Sequence, residues 1–328
     1  MTAATLHQDA GPRTLRVGTR ASLLARTQST TVAERLTEVT GHPCELVEVT
    51  TEGDTNRAPL ASMGGAGVFV GALREALLEG RVDLAVHSLK DLPTTPADGL
   101  TVAAVPPRLD PRDALVARDG LTLGELPSAA KVGTGSPRRA AQLHALGLGL
   151  DVRGIRGNVD TRLGKVASGE LDAVVLARAG LQRIGRDAVV TELLDPLQML
   201  PAPGQGALAL ECRSDDLEVV AACARLDDAP TRAAVTAERQ VLAALEAGCS
   251  APLGALAEVV EGDDGDELWL RAVVLRTDGG VSIRRSASGP VDRAATIAAD
   301  LAAQMLDEGA ADLMSEKPPS PPAPPSGP

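Results

Sequence analysis

The stretch KVGTGSPRRAAQLHAL, from Lys131 to Leu146, decides the fold, because it contains a short apolar strand, a glycine turn and a helix in direct succession. Ser136 closes the turn, and Pro137 stands at the first helical position, where the N–H that proline lacks is not needed. A strand that passes through a tight turn into a helix is half of a βαβ unit. Repetition of such units predicts an α/β protein with parallel sheets.

The alternation continues on both sides of this stretch. Before it, TLRVGTR and VDLAVHS are apolar runs typical of buried strands, and SLLARTQSTTVAERLTEV has apolar residues at helical spacing, with Ser22 as the predicted N-cap. After it, GLDVRGIRG and LDAVVLARAGL repeat the pattern around the helix VDTRLGKVASGE. The sequence therefore predicts two successive α/β units.

Two proline-rich segments separate these units and indicate chain crossings between domains. VPPRLDPRD precedes the second unit, and LDPLQMLPAPGQGA follows it. GALALECR, after the second crossing, is predicted to return to the first unit, so that two lobes enclose a hinged cleft. We predict a discontinuous first lobe at 13–106 and 203–222, a second lobe at 110–199, a third α/β domain at 225–315 and a disordered tail at 316–328.

Composition argues against several classes of protein. The 328-residue chain carries a net charge of -12 and has one Phe, one Trp and no Tyr, which disfavours a nucleic-acid binder with an aromatic stacking platform. No run approaches the roughly 18 apolar residues of a membrane span. The four cysteines are widely spaced, with no histidine at ligand spacing, so no metal site is predicted. We expect a cytoplasmic protein with reduced thiols.

Positive charge is concentrated in one part of this acidic chain. Between residues 131 and 186, ten basic residues stand against four acidic ones, and eight of the ten are arginines. Arginine binds carboxylates through two parallel hydrogen bonds. The turn before Pro137 also offers backbone N–H groups at a helix N-terminus. This pattern predicts a cleft that binds a ligand with several carboxylates; the alternative is a set of helix caps and surface arginines.

Two further stretches carry groups suited to chemistry. VHSLKDLPTT places Ser88, Lys90 and Asp91 at the end of a buried strand, where an aspartate facing an arginine-lined cleft can protonate a leaving amine and stabilise a developing cation. The alternative is a surface ion pair. LEAGCSAPLG places Cys249 in a turn after a helix, and a thiolate there is a good nucleophile toward an electrophilic carbon.

Seven motifs occur in the order typical of one enzyme family, namely GTRAS, VHSLKDLP, DPRDALV, VGTGSPRR, RGNVDTRL, PAPGQGALALECR and LEAGCSAPLG. From about Leu15 to about Leu313 the sequence resembles the porphobilinogen deaminases, also called hydroxymethylbilane synthases. The resemblance implies two lobes like those of type II periplasmic binding proteins and a smaller C-terminal α/β domain. It also implies a monomer of tetrapyrrole and haem biosynthesis that joins four porphobilinogen molecules head to tail, releasing ammonia at each step, and then frees hydroxymethylbilane by hydrolysis.

The resemblance assigns roles to particular residues. Cys249 matches the cysteine that carries a dipyrromethane cofactor through a thioether, as the primer on which the pyrrole chain grows. Asp91 matches the catalytic aspartate. The other matched positions, expected to bind cofactor and substrate, are Arg20, Ser22, Gln28, Ser88, Lys90, Thr134, Ser136, Arg138, Arg139, Arg156, Arg162, Arg183 and Gln205, with Arg153 a weaker match.

At three places the sequence departs from patterns common in that family. Ala66 and Gly71 stand where many members have lysines in a glycine-rich loop, and Glu52 stands where an arginine is common. Gly135 replaces a frequent serine, which removes a hydroxyl and keeps the backbone N–H. The loop therefore lacks charges that are frequent in the family.

A non-catalytic anion-binding protein with the same two-lobed fold is the second interpretation, because a fold alone does not fix function. Such a protein would need neither a cysteine at position 249 nor an aspartate opposite the arginines. The sequence therefore favours the enzyme.

Overall fold

The computed structural model describes residues 12–50, 67–248, 251–262 and 265–315. Cys249, Glu52, Ala66 and the predicted tail at 316–328 lie outside the described residues. The strands, in chain order, are β1 (Leu15–Thr19), β2 (Cys44–Glu48), β3 (Leu84–Ser88), β4 (Leu100–Ala104), β5 (Asp113–Ala117), β6 (Lys131–Thr134), β7 (Asp151–Gly154), β8 (Ala173–Ala177), β9 (Glu192–Leu193), β10 (Leu208–Arg213), β11 (Leu253–Gly262), β12 (Gly265–Leu275) and β13 (Ser282–Pro290).

The helices begin at the caps that the sequence provides. The hydroxyl of Ser22 accepts a hydrogen bond from Ala25 N–H, as predicted, and the Asn158 side chain accepts one from Thr161 N–H. The helices, in chain order, are α1 (Leu23–Thr40), α2 (Gly67–Leu78), α3 (Pro137–Ala145), α4 (Val159–Ala167), α5 (Arg178–Arg183), α6 (Leu217–Ala224), α7 (Ala229–Ala244), α8 (Ala294–Asp307) and α9 (Ala310–Ser315).

Two five-stranded sheets share one strand order. The first sheet runs β2-β1-β3-β10-β4 and the second runs β7-β6-β8-β5-β9. In each sheet the chain first forms two parallel strands, β1 and β2 or β6 and β7, and then the central strand, β3 or β8. The strand on the other side of the central strand, β10 or β5, follows a proline-rich crossing. Helix α1 follows β1 and helix α3 follows β6, so the N-terminus of each helix lies at the carboxyl end of its strand.

The expectation of parallel sheets is wrong for one strand in each. β10 runs antiparallel to β3 and β4, and β5 runs antiparallel to β8 and β9. Both strands follow a crossing between the two sheets and are not connected by a helix to a neighbouring strand of the same sheet. The rule for right-handed βαβ units therefore does not set their direction. β10 is the GALALECR strand, which joins the first sheet as expected.

The third sheet is antiparallel, with the order β11-β12-β13, and it packs against α7 and α8. The apolar residues of LGALAEVVEG and ELWLRAVVLRT mark the first two strands in the sequence, whereas β13 is not marked. The residues of β13, SIRRSASGP, are mostly exposed, and only Ile283 and Ala287 pack against the core, so no apolar alternation marks the strand. A strand on the edge of a small sheet needs little apolar surface.

Apolar contacts join the three sheets at one junction. Ala141 of α3 packs with Leu256, Val273 and Leu275 of the third sheet, and Val235 of α7 packs with residues of the first sheet. This junction holds the site described below. The division into domains stays a prediction, and no described helix has both the length and the apolar character required to cross a membrane.

Candidate active site

The turn that carries Asp91 begins where β3 leaves the first sheet. Residues Leu89–Asp91 form one turn of 3-10 helix, closed by a hydrogen bond from Leu92 N–H to the Leu89 carbonyl. Just before it, Gln28 Nε2 of α1 donates to Ser88 Oγ at 3.1 Å. The Asp91 side chain is half-buried and makes no hydrogen bond or ion pair with any described residue. A carboxylate in that state is available to a ligand.

Lys90 points toward the second crossing. Its Nζ donates to Gln205 Oε1 at 3.3 Å. The pKa of Lys90 is lowered to about 8, chiefly by burial and also by the positive charges of Arg139 and Arg138, against the opposing effect of Asp91 and Asp113. The ammonium group is therefore charged at neutral pH but releases its proton more readily than an exposed lysine.

A buried carboxylate compensates two arginines of the glycine-turn helix. Arg138 Nη1 lies 2.8 Å from Asp113 Oδ2, and Arg139 Nη2 donates to Asp113 Oδ1 at 2.7 Å. All three residues are at least nine-tenths buried. Burial alone would raise the pKa of Asp113, but the two positive charges outweigh it and lower the pKa far below its usual range. Asp113 therefore stays ionised.

Gln205 connects these charged groups through its side chain. Nε2 donates to Asp113 Oδ1 at 2.8 Å and to the Pro111 carbonyl at 2.7 Å. Oε1 accepts from Lys90 and, at 3.4 Å, from Arg139. The residue is 1% exposed. The side-chain amide of Gln205, in the second crossing, thus binds the first crossing at Pro111, the second sheet at Asp113, and Lys90 after β3 of the first sheet.

The glycine turn before α3 has the geometry of a capped helix N-terminus. Ser136 Oγ accepts from Arg139 N–H at 3.5 Å, and Ser136 N–H donates to Thr134 Oγ1 at 3.2 Å. A Cβ atom at Gly135 would lie 2.7 Å from the carbonyl oxygen of Ile155. The backbone that directly follows β7 therefore approaches the turn too closely for the serine that is frequent in related sequences.

A second group of arginines, Arg156, Arg162 and Arg183, makes no ion pair with any carboxylate in the described ranges. Arg162 Nε donates to the Gly157 carbonyl at 2.8 Å, and Arg183 Nη2 donates to the Gly206 carbonyl at 2.7 Å. Burial, with the nearby charges of Arg139 and Arg156, lowers the pKa of Arg162. Burial also lowers the pKa of Arg183 to about 10, so both remain cationic at neutral pH.

Three further positions from the sequence analysis differ in their surroundings. Arg20 is half-buried at the end of β1, next to the Ser22 cap of α1. Arg153, the weaker match, is exposed and paired with Asp151 at 2.5 Å. Gly71 lies in α2 with open space around its Cα, so its lack of a side chain has no packing reason among the described residues.

A small cavity of about 40 Å³ lies at the junction of the sheets, and its lining includes Lys90, Ser136, Arg138, Leu242 and Gly248. Gly248 is the last described residue before Cys249 in the chain. Arg138 Nε is buried and has no hydrogen-bond partner among the described residues. An unsatisfied cationic donor beside a lysine and a hydroxyl fits a cofactor that bears carboxylates.

Sequence analysis missed Asp113, which lies in the quoted motif DPRDALV but was given no role. The available signal was an acidic residue at the start of an apolar strand that is otherwise fully buried. A buried acid requires a partner, but the spacing of residues along the chain does not show that Arg138 and Arg139 supply it. Among the described residues, no group of three or more His, Cys, Asp or Glu side chains could hold a metal ion.

Fold and site together define a class of α/β proteins in which an arginine-rich site lies at the junction of two sheets with the same strand order. Within this class, a family model described as "Porphobilinogen deaminase, dipyromethane cofactor binding domain" matches residues 15–221. A second, described as "Porphobilinogen deaminase, C-terminal domain", matches residues 232–307. The chain therefore belongs to the porphobilinogen deaminase family of transferases, and its cofactor is dipyrromethane.

Curated relatives extend along almost the whole chain. The porphobilinogen deaminase of Mycobacterium tuberculosis is 61% identical over 305 residues, which cover 92% of this chain and 98% of that protein. That of Nocardia farcinica is 60% identical over 307 residues, covering 92% of this chain and 88% of the relative. Among solved structures, the methionine-binding protein MetQ has 14% identity and a TM-score of 0.41, covering 65% of this chain and 89% of its own.

Proposed function

We propose that this chain is a hydroxymethylbilane synthase, which joins four porphobilinogen molecules head to tail with loss of ammonia and then releases the linear product by hydrolysis. One observation carries the proposal. One cavity is lined by Lys90, which precedes Asp91 in the chain, by Ser136 and Arg138 at the N-terminus of α3, and by Gly248, which precedes Cys249. Family membership supports the same reaction.

The second arginine group supports binding of substrate and product chains. Each pyrrole of porphobilinogen carries an acetate and a propionate, so every added ring brings two carboxylates. Arg156, Arg162 and Arg183 have no carboxylate partner within the described part of the protein and retain N–H donors for a ligand. We assign these arginines to the carboxylates of the growing chain.

We assign Asp91 as the catalytic residue. Each coupling breaks the carbon–nitrogen bond to the departing amine and forms a carbon–carbon bond between rings, and the attacked ring position then loses a proton. A carboxylate at the end of β3 can assist the departure of the amine, hydrogen-bond to pyrrole N–H groups and stabilise positive charge as it develops. Asp91 has no described ion-pair partner that would compete for this work.

We assign Cys249 as the attachment point of the cofactor. When bound, dipyrromethane supplies the primer to which pyrrole units are added. Lys90, Ser136 and Arg138 would hold it through hydrogen bonds and charge, and the partnerless Arg138 Nε would gain an acceptor. A thioether resists hydrolysis, so such a primer stays on the protein through product release.

The intact mass of the purified protein tests attachment, with Cys249→Ser as the test variant and Cys44→Ser as a matched control. Cys44 is a half-buried thiol far along the chain from the site. We expect wild type and Cys44→Ser to carry an added mass equal to two porphobilinogen molecules less two ammonia molecules. Cys249→Ser should lack it, even after incubation with porphobilinogen.

Turnover of the same proteins tests the reaction. Asp91→Ala should keep its fold and lose activity by about 10²- to 10⁴-fold, the range typical of a lost general acid or base. A wild-type protein that stays unmodified and releases no ammonia from porphobilinogen would instead support the anion-binding interpretation. Near-normal turnover in Asp91→Ala would remove that residue from its assigned role.

We further propose that the protein is a monomer, as the family resemblance implies, and that it is cytoplasmic. The thiols of Cys212 and Cys223 lie in one core cluster, close enough to interact, and neither forms a disulfide. Unbridged neighbouring thiols are typical of reducing compartments. Size-exclusion chromatography with light scattering, at several protein concentrations, measures the oligomeric state.

A further inference from the structure

One arginine of α7 binds the backbone of the turn that carries Asp91. Arg239 Nη1 donates to the Leu89 carbonyl at 3.2 Å and to the Leu92 carbonyl at 2.7 Å, and Nη2 donates to the Pro93 carbonyl at 2.7 Å. These three carbonyls flank Asp91 on both sides. The planar guanidinium, with donors at fixed angles, fits three converging acceptors in a way that a flexible ammonium group cannot.

Apolar packing supports the same contact. Val235, one helical turn before Arg239, belongs to the core cluster that contains Leu89 and Leu92. Leu242, almost one turn after Arg239, lines the cavity together with Lys90. The spacing of these residues, four and three positions apart, places them on one face of α7. One face of this helix therefore rests along the Asp91 turn.

Few other contacts hold the turn in place. Leu89 N–H donates to the Ala207 carbonyl of the second crossing at 3.0 Å, and Leu92 N–H closes the 3-10 turn onto Leu89. The Leu92 and Pro93 carbonyls have no other hydrogen-bond partner among the described residues. Arg239 is thus the principal polar contact on the C-terminal side of Asp91.

We propose that Arg239 is a positioning residue that fixes the Asp91 carboxylate relative to α7 and the cavity at the C-terminal end of this helix. The inference rests on the proposed function, because it concerns the residue assigned there as catalytic. The same helix holds the Asp91 turn at Arg239 and ends four residues before Gly248. Movement of the turn by about 1 Å would be enough to cost up to about 100-fold in rate.

The test compares Arg239→Met and Arg239→Lys with Arg213→Met. Arg213 is a matched control, because it also binds two backbone carbonyls, those of Leu77 and Val82, but at the opposite end of β3. Steady-state kinetics with porphobilinogen, intact mass and hydrogen exchange followed by mass spectrometry are measured on each full-length protein.

For Arg239→Met we expect kcat to fall about 10- to 100-fold with KM changed less than about threefold, because geometry is lost and the substrate-binding arginines remain. Amide exchange should accelerate at Leu89 and Leu92. Arg239→Lys should recover part of kcat, since an ammonium can satisfy some of the carbonyls. Arg213→Met should accelerate exchange near Val82 and leave kcat within about twofold of wild type.

Two results would overturn the inference. One is a folded Arg239→Met protein with wild-type kcat, and the other is a loss of kcat without faster exchange in the turn. Failure of the proposed function is distinguishable, because the wild type itself would then release no ammonia from porphobilinogen. The exchange experiment would still report whether Arg239 holds the turn.

Discussion

Two groups of arginines meet at the site and differ in what compensates their charge. Arg138 and Arg139 are buried and share the carboxylate of Asp113. Arg156, Arg162 and Arg183 have no carboxylate partner in the described part of the chain. Arg162 and Arg183 each donate to one backbone carbonyl, that of Gly157 and that of Gly206. The first group is neutralised mainly from within the protein, whereas the second has no internal counter-charge among the described residues.

This difference indicates that arginines of similar sequence context have different roles, one structural and the other in binding. Two buried guanidiniums and one carboxylate, tied to Gln205, connect the helix after the glycine turn to both crossings. That network sets the geometry of the junction. The second group contributes less to the architecture, so its loss should reduce binding much more than stability.

The largest effect is expected for Asp113→Asn. The change keeps the shape of the side chain but leaves two buried guanidiniums without a counter-charge, which costs about 3–5 kcal/mol of unfolding free energy when one partner of a buried pair is removed. Urea denaturation of the full chain measures it. Asp151→Asn is the matched control, because it breaks the exposed pair with Arg153 and should cost no more than about 1 kcal/mol. Equal losses in both variants would refute the internal role of Asp113.

The ion pairing of neither group could be predicted from the sequence, for a physical reason. Asp160 stands four residues after Arg156, and Asp187 stands four residues after Arg183, yet in the structure these carboxylates pair with Arg186 and Arg178. Arg138 and Arg139 are neutralised by Asp113, about 25 residues earlier at the start of β5. Only the fold brings these charges together, so sequence spacing could not reveal the pair.

The same reasoning applies to strands. The alternation of strands and helices predicted the βα segments within each unit, because periodicity is a local property. The antiparallel insertion of β5 and β10 depends on where a chain crossing leads, and β13 carries almost no apolar pattern. The contact of Arg239 with the Asp91 turn likewise joins residues 147 positions apart.

An intermediate effect is expected for Arg162→Met. Loss of a charged hydrogen bond to a ligand carboxylate is worth about 1.5–3 kcal/mol, so kcat/KM for porphobilinogen should fall about 10- to 100-fold. The unfolding free energy should change by less than about 0.5 kcal/mol, because a single hydrogen bond to the Gly157 carbonyl is lost. Arg186→Met, which removes an exposed pair with Asp160, should change neither quantity. A loss of stability comparable to that of Asp113→Asn would erase the distinction between the two groups.

The smallest effect, per pH unit, concerns Lys90, a partly buried cation that donates a hydrogen bond to Gln205. Its pKa is about 8 in the folded protein, against about 10.4 in an unfolded chain. Between these values the unfolded state binds more protons, so the free energy of unfolding contributed by Lys90 rises with pH, by no more than about 1.4 kcal/mol per pH unit. The measurement is the difference in unfolding free energy between wild type and Lys90→Met at intervals from pH 7 to 10.5.

That difference should be flat below about pH 8 and then increase in favour of wild type up to about pH 10.4, because Lys90→Met has no proton to release there. Lys131→Met serves as the control, since Lys131 is exposed at the start of β6 and should give a flat difference throughout. A flat difference for Lys90 as well would mean that Asp91, Asp113 and Gln205 compensate its burial fully. Lys90 would then belong with Arg138 and Arg139, the cations whose charge is compensated within the protein.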